Sequence, residues 1–508
     1  MERVGVEPPV LLDRADGEPL TAQLSSQLRE AVRSGRIGAG DRLPSTRALA
    51  ASLGVSRTVV TDAYTQLYAE GWIEGRHGSG TFVAAGAASG GAVGHTANRD
   101  GGLGLGTIAT RADVAAPVRG KPAIAQHARP ARSRTVGHVI DLQPGVPWAG
   151  AIDKAAWRRA WRRAGAAQVS VSPPPVADPA GLPELRRVLA GYLRRSRGVS
   201  SSPGEIIVTR GVANGLDLIA AALLRPGDAA GIEEPGWPAA HSILVARGAR
   251  IVPCPVDDHG LVVDALPPGL RLIHTTPAHQ TPLGGRLPVP RRQAMLAWAR
   301  RTGALIVEDD YDSEFRYDVA PLPALHSLDP DVVAYLGTTA KTLTPELSVG
   351  WLVAPAQVFT LVTEMRLSLA DRTPATVQHA TVSLIEGGYL ERHVRRMRPE
   401  YARRRSAVTG ILATLPPPAR LLGDTAGMHV VLELPAAVTD AAAAVARERG
   451  VAVATLDRYF SAETAQSVHG LVLGYGGAAL PQVRKGCEVL REIVQPLLAP
   501  RPSGGQSF

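Results

Sequence analysis

From residue 139 onward, short apolar runs recur with helical stretches between them, at residues 206–209, 229–232, 272–275, 304–307, 332–336 and 351–353. Each run is too short for a buried helix and is bounded by turn formers, so each reads as a strand covered on both faces. Parallel neighbours need crossovers and the crossovers place helices on both faces, so alternation of this kind predicts an α/β domain with a large, mostly parallel sheet. After an arginine-rich helical stretch over 393–405, runs at 428–434, 451–455 and 471–475 predict a smaller C-terminal subdomain.

The chain before residue 139 follows a different pattern, and 508 residues exceed what one core holds. Leu24, Leu28, Ala31 and Val32 share one helical face, and glycines at 35, 38 and 40 end that helix. Ser45 caps a second helix, Gly54 breaks it, and a third runs over 57–70 after Ser56, with Val60, Tyr64 and Leu67 facing inward. That leaves Arg57, Thr58 and Thr61 outward at the amino end of the third helix, the geometry that enters a major groove. Alternating residues at 72–74 and 81–83 flank a glycine-rich turn, which predicts a hairpin wing. Residues 85–137, rich in Gly, Ala, Arg and Pro and without apolar periodicity, read as a flexible linker. The expected domains are thus 1–84, a winged helix-turn-helix, and 138–508, the α/β domain with its small subdomain.

A net charge of +9 and a pI near 9.9 favour a polyanionic partner. Two cysteines give no disulfide framework, the first residues form no apolar export segment, and the longest apolar run, 216–224, is too short to span a bilayer. A cytoplasmic protein without membrane association is expected. Of 55 Lys and Arg residues only Lys121, Lys154, Lys341 and Lys485 are lysines. Lys341 follows an apolar run and sits among Thr338, Thr339, Thr342 and Thr344. An ammonium with few charges to pair with loses solvation, and its neutral amine can attack a carbonyl to form a Schiff base, which arginine cannot do.

The segment Glu-Asp-Asp-Tyr-Asp-Ser-Glu-Phe-Arg-Tyr at 308–317 is followed at 337–345 by Gly-Thr-x-x-Lys-x-Leu-x-Pro. With Leu-Pro-Ser-Thr-Arg at 43–47, Gly-Val-Ser-Arg-Thr-Val at 54–59 and His-Gly-Ser-Gly-Thr-Phe-Val at 77–83, the chain resembles the MocR-type regulators of the GntR superfamily. These join a winged helix-turn-helix to a domain like the fold-type I aminotransferases, which carry pyridoxal 5'-phosphate (PLP). The resemblance implies a double-stranded DNA operator met by Ser45, Arg47, Ser56, Arg57, Thr58 and Thr61, with His77 and Gly78 at the minor-groove edge. It implies a PLP site in which Lys341 supplies the Schiff base, Asp309 holds the ring nitrogen protonated, Tyr311 meets the ring hydroxyl and Trp237 stacks on the ring. Gly211, Val212 and Ala213 would offer amides to the phosphate at a helix start, Thr338 would add a hydroxyl, and Gln280 belongs to the family's His-Gln pair. No metal site is implied. A homodimer responding to PLP or an amino-acid-type effector is expected.

Several positions depart from the family pattern. Ser348 stands where an arginine usually grips the phosphate, Ala340 where a serine precedes the lysine, Val176 where a tyrosine is usual, and Ala213-Asn214 where Gln-Gln is usual. No arginine lies near Val472, where aminotransferases hold the substrate carboxylate. These departures favour a regulator that senses PLP or a PLP adduct. A working aminotransferase with a DNA-binding appendage, and a regulator whose large domain is a PLP-free dimerisation scaffold, are the alternatives.

Overall fold

The computed structural model describes residues 8–14, 19–76, 80–84, 139–167, 178–317, 323–423, 426–461 and 464–499. Among them the chain divides into two compact units, one comprising 8–84 with 287–301 and the other the remainder.

In the first unit, helices α1 (Leu20–Arg33), α2 (Thr46–Leu53) and α3 (Arg57–Glu70) precede strands β1 (Ile73–Arg76) and β2 (Gly80–Val83), which pair antiparallel with Ile73 opposite Val83. Leu24, Leu28, Ala31 and Val32 of α1 and Val60, Tyr64 and Leu67 of α3 are all buried. The turn between α2 and α3 has local causes. Gly54 adopts φ 62°, a left-handed conformation that lets its amide close α2 on the carbonyls of Ala50 and Ala51. The Ser45 hydroxyl accepts from the Ala48 amide (3.2 Å) and the Ser56 hydroxyl from that of Val59 (3.4 Å), so each helix starts on a side-chain cap. Between α1 and α3 the Arg29 guanidinium forks onto Glu70 with two 2.8 Å bonds, and the Gln66 amide donates to the same carboxylate (2.6 Å).

The second unit begins with β3 (Ile140–Asp141), followed by α4 (Lys154–Ala167), α5 (Pro183–Arg197), β4 (Ile206–Thr209), α6 (Val212–Leu223), β5 (Ala229–Glu234), β6 (Arg250–Asp257), β7 (Gly260–Leu261), β8 (Leu272–Thr275), β9 (Leu305–Asp310), β10 (Val333–Thr338) and β11 (Gly350–Val353). Eight strands form one sheet in the order β4-β11-β10-β9-β8-β5-β6-β7, parallel from β10 through β6, with β11 antiparallel to both neighbours. All six apolar runs lie in this sheet. Strand β6 escapes sequence patterning because Pro253 and Pro255 interrupt it and Cys254 is its one buried residue.

The smaller sheet uses β12 (Arg420–Leu422), β13 (His429–Glu433), β15 (Ala454–Thr455) and β16 (Gly470–Gly474), and β14 (Val451–Ala452) pairs with β3 instead. The run expected at 451–455 is therefore two short strands serving two sheets. The helix expected over 393–405 spans Tyr389–Leu412. Among the described residues no helix is long and apolar enough to cross a membrane.

Candidate functional site

The acidic segment after β9 has its roles divided by strand alternation, since successive side chains point to opposite faces. Glu308 turns one way, where its carboxylate accepts from the amides of Leu325 (2.7 Å) and His326 (2.8 Å). Asp310 turns the same way, and its Oδ2 accepts from Arg197, the last residue of α5, and from the Tyr335 hydroxyl (2.7 Å). Asp309 between them faces a cavity of about 720 Å³ at the carboxyl ends of β9 and β10. Ligands of parallel sheets collect at such ends.

Gly211, Val212, Ala213, Trp237, Asp309, Tyr311, Thr338 and Lys341 all line this cavity. Gln280 does not: its buried amide donates to the carbonyls of Pro235 (2.8 Å) and Thr281 (2.7 Å), so it braces the turn beneath the site. Asp309 is buried, its Oδ2 lies 3.3 Å from His274 Nε2, and its Oδ1 has no hydrogen-bond partner among the described residues. Burial pushes this carboxyl above the usual range while the His274 bond opposes the shift. Lys341 Nζ donates to the Gly145 carbonyl (2.6 Å). The Tyr311 hydroxyl donates to the His279 carbonyl (3.0 Å) and lies 3.0 Å from that residue's Nδ1. His279 Nδ1 is 3.1 Å from both Asp312 oxygens, and the His429 ring lies 5.1 Å away. Burial pushes His429 down to about 4, and its Nε2 lies 2.9 Å from the Pro282 carbonyl. The donor atoms of His279, Asp312 and His429 fall within 4.8 Å of one another, the group nearest to a metal-ligand set among the described residues.

At the other end, Gly211 with φ 89° starts α6, and a Cβ there would lie 3.8 Å from Thr338 Oγ1, so the helix start and this hydroxyl meet. The first-turn amides of an α-helix have no intrahelical acceptors and favour an anion. Asn214 turns back to accept from the Arg210 amide (2.9 Å). Arg210 lines the cavity, but its guanidinium lies 2.5 Å from Asp371 Oδ1. Ser348 is exposed in a left-handed conformation (φ 50°) and does not line the cavity. Val176 lies outside the described residues.

Spacing alone does not reveal the residues that the smaller sheet contributes. Val472 on β16 is fully buried in that sheet, as an apolar residue there must be, and the cation comes from elsewhere. Arg458, on the 3-10 turn Leu456–Tyr459, lines the cavity and has no ion pair or hydrogen bond among the described residues. Arg458 follows Asp457 with no apolar periodicity around it, so sequence offered no signal. Met428, His429 and Tyr459 complete this wall.

In the first unit Ser45, Arg47, Ser56, Arg57, Thr58 and Thr61 are all exposed, and Arg57 Nε lies 3.3 Å from Thr46 Oγ1. His77 and Gly78 lie outside the described residues.

The second unit and its cavity have the features of the PLP-dependent aminotransferase class. Residues 156–464 match the family model for aminotransferase class I and II, and residues 20–83 match that for bacterial regulatory proteins of the gntR family. An archaeal alanine:glyoxylate aminotransferase superposes with a TM-score of 0.66 at 26% identity, covering 71% of this chain and 92% of that one. The chain is 36% identical to the HTH-type pyridoxine biosynthesis transcriptional regulator PdxR of Corynebacterium glutamicum, over 92% of this chain and 94% of the relative. It is 35% identical to the probable rhizopine catabolism regulatory protein MocR of Rhizobium meliloti, over 95% of each. The chain belongs to the MocR-type family of HTH transcriptional regulators, in which a GntR-type winged helix is fused to an aminotransferase-like domain.

Proposed function

We propose that this regulator works in the cytoplasm as a homodimer that binds a DNA operator through α3 and the wing, and that its aminotransferase-like domain senses PLP or a PLP adduct bound covalently at Lys341. The observation that carries the reading is Asp309 Oδ1, a buried carboxylate oxygen with no partner among the described residues, facing the cavity that also receives the Lys341 amine. PLP supplies an aldehyde for an amine and a ring nitrogen for a carboxylate. Asp309, steadied by His274, would hold that nitrogen's proton, and Trp237 would cover the ring. The amides at Gly211, Val212 and Ala213 with the Thr338 hydroxyl would take the phosphate. Without an arginine at position 348, anchoring loses a charge-assisted bond of about 1.5–3 kcal/mol. Arg458 gives an effector's acid group a cation, which supports adducts of amino acids as well as PLP itself. The C. glutamicum relative's name concerns pyridoxine biosynthesis, which supports the vitamer as signal.

The test is borohydride reduction of the protein with PLP followed by peptide mass analysis. The cofactor mass should appear on Lys341 and vanish in Lys341→Ala, and PLP should change operator affinity in the wild type but not in that variant. Operator binding with no PLP incorporation at millimolar concentration would favour the scaffold reading.

A further inference from the structure

Helix α4 reads Lys-Ala-Ala-Trp-Arg-Arg-Ala-Trp-Arg-Arg-Ala over residues 154–164. Ala156, Ala160 and Ala164 form its buried stripe, which leaves Lys154, Arg158, Arg159, Arg162 and Arg163 exposed on the outer side. They recur about every 6 Å along the helix. None of them forms an ion pair with a carboxylate among the described residues. Most arginines on the next helix behave differently, with Arg186 paired to Asp178, Arg187 to Glu386 and Arg195 to Glu391, while Arg194 has no such partner among the described residues. Helix α4 thus carries five exposed cations without a carboxylate partner among the described residues within its first three turns.

The positive surface continues beyond α4. Arg159 donates to the Tyr389 hydroxyl (2.8 Å) and lies 5.4 Å from that ring's centroid, while Arg392 lies 4.5 Å from the same centroid. Two guanidiniums sharing one ring repel each other unless an anion joins them. Beside them Arg392 and Arg396 line a cleft of about 280 Å³ with Trp157 and Tyr389. Asp153 is the acid at its edge, and its Oδ1 is engaged by the amides of Ala155 and Ala156 (2.9 Å each).

We propose that α4 and the start of the helix Tyr389–Leu412 form a second DNA-binding surface, one that holds the phosphate backbone of duplex flanking the operator without reading bases. Evenly spaced, unpaired arginines fit a polyanion of regular charge spacing, and a protein whose family binds DNA has that partner at hand. The inference rests on DNA binding and is independent of the cofactor.

Full-length protein should be titrated by fluorescence anisotropy with arbitrary-sequence duplexes of about 20 and about 60 base pairs across a salt series. The longer duplex should give a steeper salt dependence, by about two to three released counterions. The triple variant Arg158→Gln, Arg162→Gln, Arg163→Gln should lose that excess and bind the longer duplex roughly tenfold more weakly, with the shorter duplex unaffected. An unchanged slope in the variant overturns the proposal. So does a drop in mass by light scattering, which would assign the ridge to contact between copies of the chain. Failure of both duplexes to bind wild-type protein would count against DNA binding itself.

Discussion

Asp309 and Asp310 are chemically identical neighbours with opposite duties, and only the pleat of β9 separates them: one meets a cavity, the other a buried arginine. Asp309→Asn keeps shape but cannot hold a proton on a ring nitrogen, so PLP affinity should fall by roughly tenfold or more, measured by absorbance titration, with the melting curve of the apo protein little changed. Glu314 belongs to the Asp310 side, where Tyr192 donates to its Oε1 (3.0 Å) and Arg398 to its carbonyl (2.6 Å). Burial first, then Asp310, pushes its carboxyl from 4.5 to about 7. The folded state therefore binds this proton more tightly than the unfolded chain. Its contribution is complete below 4.5 and is lost as pH rises through about 7. Glu314→Gln, which keeps the acceptor for Tyr192, should flatten the decline of thermal stability across that interval, and an unaltered pH profile would exclude Glu314 as its source. Lys341, Asp309 and the helix start at Gly211 were legible in the sequence because each sits in a contiguous segment whose strand or turn is locally encoded. Arg458 and His429 were not, since nothing local says which edge of a small antiparallel sheet will close a cavity on the large one.

The elements of the winged unit were legible almost to the residue, because a serine cap and a closing glycine bound both α2 and α3, and a single apolar face marks α1 ahead of Gly35. The fork of Arg29 onto Glu70 was not, since an ion pair across two helices depends on their rotation. Glu70 is almost fully buried, so Arg29→Ala strands a carboxylate with, among the described residues, only Gln66 beside it. That variant should lower the stability of this unit by about 2–3 kcal/mol, less than for a fully buried pair because Arg29 is one-fifth exposed, and adding Glu70→Gln should recover part of the loss in a denaturant titration. Arg57 stands at the start of α3, and among the described residues its side chain hydrogen-bonds only to Thr46. Arg57→Ala should weaken operator binding by about 1–3 kcal/mol and leave the melting of both units unchanged; equal affinity would remove this side chain from the interface.

For the whole molecule, a ligand that favours the folded second unit should raise its melting temperature with concentration, by the equivalent of about 2.7 kcal/mol at a hundred times Kd, and should leave the transition of the first unit in place. If calorimetry shows one transition shifting as a single body, the two units are energetically coupled without DNA. The large sheet was foreseeable from alternation, but its antiparallel member β11 was not, because β11 is as apolar as its neighbours and direction leaves no mark on composition. Nor was the partner of β3. The Ile140 amide donates to Gly450 and that of Leu142 to Ala452, while Leu142 in turn accepts from Gly474. The second unit thus begins on a strand whose neighbours are among the last to be made. On the ribosome, residues 8–84 supply the three helices and the hairpin early and residues 287–301, whose Val289 joins the same core, complete that unit later, whereas the strand partners of Ile140 and Leu142 are made only once synthesis has passed residue 474. A nascent chain halted between residues 301 and 474 carries the described elements of the DNA reader with an unfinished sensor, so the order of translation itself leaves a period in which this regulator could find DNA before it can answer to any ligand.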